Sequence, residues 1–384
     1  MIAPGTRKIL PEVAGSLLPP LARLSFAGHA LLMRAPTSFN DDAETPPESE
    51  AQRPSVTLAV RPDQIIADPK HVRWETVTLS NAPLAALARF AAWHLELGAE
   101  RIHLYLDAAA PQTADFLSQN PAVSVTTCSE EWWQSIGRAR PPAHQNRQSI
   151  AASQAYRATS GQWLCHLDTD EFLLPDSSVA EWLANAPDDL AVINVAPAEL
   201  LAPLSAGGPA QFKLSPRFAG QSSEVRERLY PTFAPFLRGG YISHLEGKNF
   251  VRTGYKSMRI GIHACHFQQN PIRNRGRVPG LWLGHAHAPT WDAFKGHLNF
   301  RRTKGSYRPQ KSGNIGLAQI LDVFAAEDGP EAREAALRLL FEEVCTARPD
   351  LIAALMHYGM LIERDMPLDT LVMRHFGHLP DPQP

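Results

Sequence analysis

Apolar and polar positions follow two different periods along the chain from about residue 57 onward. Short apolar runs, which predict β-strands, alternate with segments whose apolar residues recur at helical spacing. The predicted strands are 74–81, 101–107, 123–128, 163–168 and 190–200. The predicted helices between them are 83–98 and 144–161. In the first helix the apolar residues near one face are Leu84, Leu87, Phe90, Ala91 and Leu95.

Strands that alternate with helices predict an α/β fold with a doubly wound, mostly parallel sheet. Ligands of such sheets bind beyond the carboxyl ends of the strands. Asp107 and Asp168 each stand at the end of a predicted strand. The pattern of the region 311–384 is helical, with a helix start at 328–330 and an apolar stripe behind it. We therefore expect a helical C-terminal region after the sheet.

The N-terminal part of the chain has a different composition. Residues 36–56 are polar, acidic and rich in proline, which predicts a flexible linker after an N-terminal appendage at 1–35. The main domain is then expected at 57–310. No run approaches the roughly 20 apolar residues of a membrane span. This predicts a soluble, cytoplasmic protein for which peripheral membrane contact stays open.

Charge and cysteine content narrow the functional classes. The net charge of −2 excludes a uniformly basic nucleic-acid binder, although residues 248–311 carry thirteen Lys or Arg against one acid, Asp292. That local excess favours an anionic ligand, while a solvated basic face is the ordinary alternative. Nucleic acid is the weaker candidate, because no binding motif and few aromatic residues accompany the basic run. The four cysteines form no CxxC pair, so buried free thiols are expected.

The predicted strand at 163–168 runs into three acids, Asp168, Asp170 and Glu171. Unpaired carboxylates are costly to bury, so such a cluster needs a cationic partner. On a strand, residues two apart point to the same side, which would let Asp168 and Asp170 converge. Two carboxylates at one point suit Mg²⁺ or Mn²⁺.

Three other interpretations of these acids exist. An EF-hand loop is excluded, since Leu173 and Ala180 stand where it needs glycine and an acid. A glycosidase pair has no further support in the sequence. On spacing alone, the acids could equally cap a turn and pair with surface bases.

The stretch HQNRQSIAASQAYRATSGQWLCHLDTDEFLLP, residues 144–175, resembles glycosyltransferase family 2-like proteins, in which an apolar strand runs into D-x-D-E-F-L. The likeness extends upstream to 77–107 and downstream to 246–267 and 283–307. It covers most of the chain, about residues 73–308. The D-x-D-E-F-L segment is fairly specific, whereas D-x-D alone is weak evidence.

The resemblance implies a GT-A fold, a nucleotide-sugar donor and a divalent metal. Asp168 and Asp170 would then hold the metal against the donor diphosphate, and Glu171 would lie beside the donor sugar or the acceptor. Asn81 and Asp107 would lie near the nucleotide. The chain departs from the family pattern at position 82, where alanine replaces the usual glutamate, and this weakens any role of the first loop that needs that acid.

One late histidine commonly completes the metal site in such enzymes. Of the five histidines between 263 and 297, His263 and His285 are the candidates for this metal ligand. The alternative for each is a purely structural role. Candidates for contacting the diphosphate are Lys248, Arg252 and Lys256. Lys295, Arg301 and Lys304 are expected on a helix, of which they could form the solvated face. Trp132 and Trp133 could stack on a ligand or pack a surface flap.

The sequence thus predicts a glycosyltransferase that uses Mn²⁺ or Mg²⁺ and moves a sugar to a glycan or other hydroxyl acceptor, for example in surface polysaccharide synthesis. Glu171 and Asp170 are the candidate catalytic residues, and Glu199 is a weaker candidate base. A non-catalytic protein that binds polyanions or glycans is one alternative. A metal-dependent hydrolase is another.

Overall fold

The computed structural model describes residues 54–303, 305, 307 and 316–380. The strands of that part are β1 Trp74–Ser80, β2 Arg101–Leu106, β3 Val123–Thr127, β4 Trp163–His166, β5 Glu171–Pro175, β6 Val192–Leu200, β7 Ala210–Lys213, β8 Lys248–Arg252, β9 Met258–Ile260, β10 Cys265–Phe267, β11 Asn270–Pro271, β12 Arg275–Gly276, β13 Leu281–His285 and β14 Leu361–Arg364. The helices are α1 Leu84–Glu96, α2 Pro111–Leu117, α3 Glu130–Ser135, α4 His144–Ala158, α5 Val179–Ala184, α6 Glu224–Leu229, α7 Trp291–Thr303, α8 Leu317–Ala325, α9 Gly329–Cys345, α10 Pro349–His357 and α11 Leu368–Phe376.

The elements predicted from hydrophobic periodicity are present, within a few residues of the expected bounds. Helix α1 buries Leu87, Phe90 and Ala91 against the core, and the chain leaves it through Gly98, whose φ of 90° suits glycine best. Strand β4 is buried along its whole length, as its unbroken apolar run predicts.

The large sheet has the strand order β14-β7-β6-β8-β4-β1-β2-β3. It is parallel from β3 to β4, which confirms the predicted α/β class. Beyond β4 the sheet is mixed, because β8 runs antiparallel to both of its neighbours, β4 and β6. Strand β13 pairs parallel with β6 and antiparallel with β5, so it joins the β5 segment to the sheet.

The C-terminal region is largely helical, as predicted, but it also contains β14. This strand pairs antiparallel with β7 and forms an edge of the large sheet. The predicted apolar stripe of α9 is buried at Leu340, Phe341 and Val344. Helix α11 packs against α1. The tail is therefore joined to the sheet both by backbone pairing and by helix packing.

Several predicted features fall outside the described residues. These are the appendage at 1–35, the linker at 36–56 apart from its last three residues, and Lys304. All four cysteines are buried and free, as expected. None of the helices in the described ranges is long and apolar enough to cross a bilayer.

Strand direction brings the candidate residues to one edge of the sheet. Strands β1, β2 and β4 are parallel, so their carboxyl ends lie together, and the Ser80 hydroxyl is 3.1 Å from that of Thr169 in the acidic segment. The register of β5 with β13 sets Glu171 opposite His285. Strand β8 begins at this same edge, because it runs antiparallel to β4.

Candidate metal and donor site

The three acids lie on a turn, which we call the carboxylate turn (168–171). Strand β4 ends at His166 and β5 begins at Glu171, so the expectation that Asp168 and Asp170 point the same way along one strand is wrong. The chain reverses because the Glu171 amide donates to the Asp168 carbonyl, at 3.0 Å. The Glu171 carboxylate in turn accepts a 2.8 Å bond from the Asp168 amide.

A buried lysine neutralises this turn. The Lys248 ammonium lies 2.7 Å from Oδ2 of Asp168 and 3.3 Å from Oε2 of Glu171. The Gln148 side-chain amide donates to the other oxygen of Asp168. Lys248 and Glu171 are both fully buried. Lys248, a predicted diphosphate contact, is therefore already bound to two carboxylates in this structure.

The pKa values of the two carboxylates that contact Lys248 shift in opposite directions. Burial raises the pKa of Glu171 to about 7, since the attraction of Lys248 compensates only part of the lost hydration and Asp168 adds repulsion. Burial also acts to raise the pKa of Asp168, but Lys248 outweighs it and holds that pKa well below its usual range. Asp168 is thus a stable anion, whereas Glu171 can exchange a proton near neutral pH.

Four histidines form a row beside the turn. Ring centroids are 4.5 Å apart for His263 and His244, 5.4 Å for His244 and His285, and 5.0 Å for His285 and His287. Nδ1 of His244 lies 2.9 Å from a carbonyl oxygen, and Nδ1 of His263 lies 3.1 Å from another. A protonated Nδ1 at each leaves the lone pair on Nε2. Burial lowers the pKa of His244 to about 4, which keeps it neutral.

His285 differs from its neighbours because it faces acids. Its Nε2 is 3.5 Å from Oδ2 of Asp170. Burial lowers its pKa, but the charge and hydrogen bond of Asp170, with Glu171 and Glu199 behind, bring the pKa to about 9. Nδ1 of His285 and Oε1 of Glu171 are both buried, and neither has a hydrogen-bond partner. Several other buried side-chain atoms also lack a partner, but these two belong to neighbouring titratable side chains that can bind one cation together.

A metal ion would explain them. Glu171, His244 and His285 each offer a ligand atom, and these atoms all lie within 4.8 Å of one another. Among the residues that the structure describes, no other group of three His, Cys, Asp or Glu side chains has its ligand atoms this close together. A carboxylate with two imidazoles is a common donor set for divalent transition metals. We call these three residues the Glu-His-His group.

Of the four predicted metal ligands, the structure places only His285 in this group. Asp168 is turned toward Gln148 and Lys248. His263 packs its ring against His244, one step further along the row. Asp170 lies at the solvent side of the turn, with 45% of its side chain exposed. Burial acts to raise the pKa of Asp170, but His285 lowers it overall, so this open carboxylate is ionised at neutral pH.

The two residues predicted near a nucleotide lie at the same sheet edge. Asn81 follows β1 and is exposed. Asp107 follows β2 and is buried, where Arg147 binds it at 2.7 Å, Arg140 at 3.0 Å and His144 at 3.3 Å. Burial acts to raise the pKa of Asp107, but the charges of Arg147 and Arg140 and a hydrogen bond to His144 lower it.

The other predicted diphosphate contacts lie elsewhere. Arg252 pairs in register with Trp163, the first residue of β4, and therefore lies at the opposite edge of the sheet. Its guanidinium stacks 4.3 Å from the centre of the Trp163 ring. Lys256 follows it and is exposed. The fold does not bring either residue to the carboxylate turn.

In the described part of the basic run, some of the cations are paired with acids or buried. Lys295 pairs with Glu334 at 3.1 Å, and Arg302 pairs with Asp322. Arg301 is buried and donates to the carbonyl of His287. Acids of the C-terminal helices, far away in sequence, thus neutralise part of the local excess.

Packing or ion pairing accounts for the remaining candidates, Trp132, Trp133 and Glu199. Trp133 is fully buried, and Trp132 packs on Tyr105 with 5.6 Å between ring centroids. Glu199 is buried, where it binds Lys213 at 3.1 Å and the amide of Ser243 at 2.9 Å. Packing accounts for the two tryptophans, and Glu199 is enclosed away from any acceptor.

Sequence reasoning missed His244 and Gln148. His244 lies just before the basic run and belongs to no spaced motif, so only the loop that carries it beside β13 reveals it. Gln148 lies one turn beyond His144 on α4. The HQNRQ segment belongs to the predicted helix 144–161 and to the stretch that carries the family resemblance, but neither predicts a role for its side chains. His144, Arg147 and Gln148 contact Asp107 or Asp168.

No protein-family model and no curated protein matches this chain. Among solved structures, it is similar to HddC from Yersinia pseudotuberculosis, with 11% identity, a TM-score of 0.24 and coverage of 35% of this chain and 66% of that chain. It is also similar to a structure described as a mycobacterial protein, with 8% identity, a TM-score of 0.31 and coverage of 63% and 78%. Likeness at this level carries no conclusion about fold family or activity.

Proposed function

We propose that this chain is a metal-dependent glycosyltransferase of the GT-A type, with a nucleotide-sugar donor and a glycan or other hydroxyl acceptor. The observation that carries the proposal is the Glu-His-His group, whose ligand atoms lie within 4.8 Å of one another and in which Oε1 of Glu171 and Nδ1 of His285 have no hydrogen-bond partner. They lie at the carboxyl end of a central parallel strand, where α/β proteins bind their ligands.

The sheet supports the same proposal. Its parallel half, in the order β3-β2-β1-β4, gathers Asn81, Asp107 and Asp168 at one edge, and antiparallel β8 adds Lys248 there. A donor nucleotide would lie over the ends of β1 and β2, and its diphosphate would reach the carboxylate turn. The four free thiols fit a reducing, cytoplasmic compartment.

The Glu-His-His group fits Mn²⁺ better than Mg²⁺, because Mg²⁺ prefers an all-oxygen shell and imidazole suits transition metals. When bound, the ion would neutralise charge on the departing nucleoside diphosphate. Glu171, His244 and His285 would hold it, and His285 would lose one proton to bind the ion as a neutral imidazole. Lys248 would keep Asp168 ionised and the turn folded around the group.

Asp170 is the carboxylate placed to act as base. It is exposed, whereas Glu171 is fully buried and cannot meet an acceptor. His285 keeps Asp170 ionised at neutral pH. Asp170 would accept the proton of the acceptor hydroxyl as that oxygen bonds to the sugar and the nucleoside diphosphate leaves.

Two measurements test the proposal. Calorimetric titration of Mn²⁺ should show binding that Glu171→Gln and His285→Ala abolish and that His263→Ala, the neighbouring histidine outside the group, retains. Release of nucleoside diphosphate from a panel of UDP- and GDP-sugars should require Mn²⁺ and should fail in Asp170→Asn, which keeps metal binding. Full activity of Glu171→Gln in EDTA would overturn the metal role.

The same assays separate the alternative functions. A metal-dependent hydrolase would release free sugar at the same rate with and without a glycan acceptor. A non-catalytic binding protein would bind anions equally with Mn²⁺ and with EDTA, and would release no nucleoside diphosphate.

A further inference from the structure

A groove of about 540 Å³ runs along one side of α4, apart from the Glu-His-His group. Its volume lies within the range of ordinary ligand sites. The lining residues are Arg138, Pro141, Asn146, Ser149, Ile150, Ser153, Arg157, Met258, Arg259 and Gln269. We call this the arginine groove.

Three exposed arginines make the groove positively charged. Arg138 follows α3, Arg157 lies in the last turn of α4, and Arg259 lies in β9. The described lining contains no Asp or Glu, and no ion pair joins these three guanidinium groups to an acid in the ranges that the structure describes. Like charges around one groove repel each other, and an anionic ligand would relieve that repulsion.

The length of the groove decides the shape of the ligand. Asn146 and Arg157 both line it, and the helix between them rises about 16 Å at 1.5 Å per residue. A single phosphate cannot span a groove of that length. The groove therefore fits an elongated ligand that carries several negative charges.

The residues that line the groove favour one class of polyanion over another. No aromatic ring lines the described groove, although single-stranded nucleic acids are usually held by stacking their bases on such rings. Ile150 and Met258 provide an apolar surface, and Asn146 provides a polar side chain. Apolar ring faces, hydroxyls and carboxylates occur together in acidic sugars.

We propose that the arginine groove binds an acidic oligosaccharide, whose carboxylate or sulfate groups pair with Arg138, Arg157 and Arg259. The choice of a saccharide rests on the proposed function, in which a glycan is the acceptor. Helix α4 lies between the two sites, since Gln148 contacts Asp168 and the adjacent Ser149 lines the groove. The groove would hold a remote part of the acceptor chain while its end reaches the carboxylate turn.

The test measures binding of two probes, a galacturonate tetrasaccharide and a chondroitin sulfate tetrasaccharide, to the full chain in EDTA. At least one probe should bind, with affinity that falls as salt rises. The variant Arg138→Ala, Arg157→Ala, Arg259→Ala should weaken binding by about tenfold or more, because three solvent-exposed charge pairs together are worth roughly that factor. The control is a second triple variant, Lys70→Ala, Arg217→Ala, Arg273→Ala. It removes three exposed cations outside the groove and should bind like the wild type.

Three results would overturn the inference: neither tetrasaccharide binds at low salt, both triple variants bind equally well, or the methyl-esterified galacturonate probe binds as tightly as the acid. Tighter binding of a single-stranded oligonucleotide or an acidic peptide than of either probe would also overturn it. Because the assay needs no metal or donor, its failure is distinct from failure of nucleoside diphosphate release.

Discussion

The substitution Lys248→Met removes the cation that holds the carboxylate turn together. Methionine keeps most of the side-chain volume, so the change is one of charge rather than of packing. Asp168 and Glu171 then lie 2.7 Å and 3.3 Å from a site that no longer carries an ammonium. Two partly or fully buried carboxylates would be left without their compensating charge.

The expected loss is about 3 to 5 kcal/mol of unfolding free energy, the usual cost of removing one partner of a buried ion pair. It should be largest near pH 8. The pKa of Glu171 is raised to about 7 even with the lysine present, so acid protonates this group in the folded state and lowers the penalty. The loss should therefore shrink as pH falls toward 5.5.

The assay is urea unfolding of the variant at pH 8 and pH 5.5, with EDTA or with Mn²⁺. A bound ion would supply the missing positive charge, so Mn²⁺ should restore part of the lost stability. Lys213→Met is the matched control, because Lys213 is equally buried and pairs with Glu199 at 3.1 Å, outside the Glu-His-His group. It should be destabilised by a similar amount and gain from Mn²⁺ only what the wild type gains, whereas Lys248→Met should gain more.

Unchanged stability of Lys248→Met in EDTA at pH 8 would refute the electrostatic reasoning. An equal gain of stability by both variants in Mn²⁺ would refute the reasoning that the ion replaces the charge of Lys248 at the carboxylate turn. A penalty that grows on acidification would contradict the raised pKa of Glu171.

Two further predictions concern the frame around the site. Glu75 is buried and hydrogen-bonded to His103. Burial acts to raise the pKa of Glu75, but His103 and neighbouring donors lower it to about 2 from an ordinary 4.5. The stability that ionised Glu75 contributes is therefore complete above pH 4.5 and is lost as pH falls through 2. Glu75→Gln should cost at most about 3 kcal/mol at pH 7, and acid titration of stability that matches the wild type would contradict this. Gly247→Ala would set a Cβ 1.8 Å from the carbonyl oxygen of Val195, so thermal unfolding should show a loss of about 3 kcal/mol or more. Gly296→Ala in α7 meets nothing within 4 Å and should gain up to about 1 kcal/mol; equal melting of the two glycine variants would argue against the clash.

Much of the fold was predictable from local pattern. An apolar run of strand length, or an apolar stripe at helical spacing, can be buried in only a few ways, which is why β1 to β4, α1 and α4 lie close to their expected bounds. The edge strand β14 was not predicted, because a four-residue strand flanked by helices leaves little periodic signal. Its place in the sheet depends on β7, about 150 residues away in sequence.

Local sequence pattern shows that three acids follow a buried strand and that a strongly basic segment comes later in the chain. How those charges pair depends on the tertiary structure. Lys248 meets Asp168 across 80 positions of the chain, and Glu171 meets His285 through the register of β5 with β13. Periodicity reports which side of an element is buried, whereas register and loop paths decide which buried atoms touch. The Glu-His-His group and the arginine groove both arise at that second level.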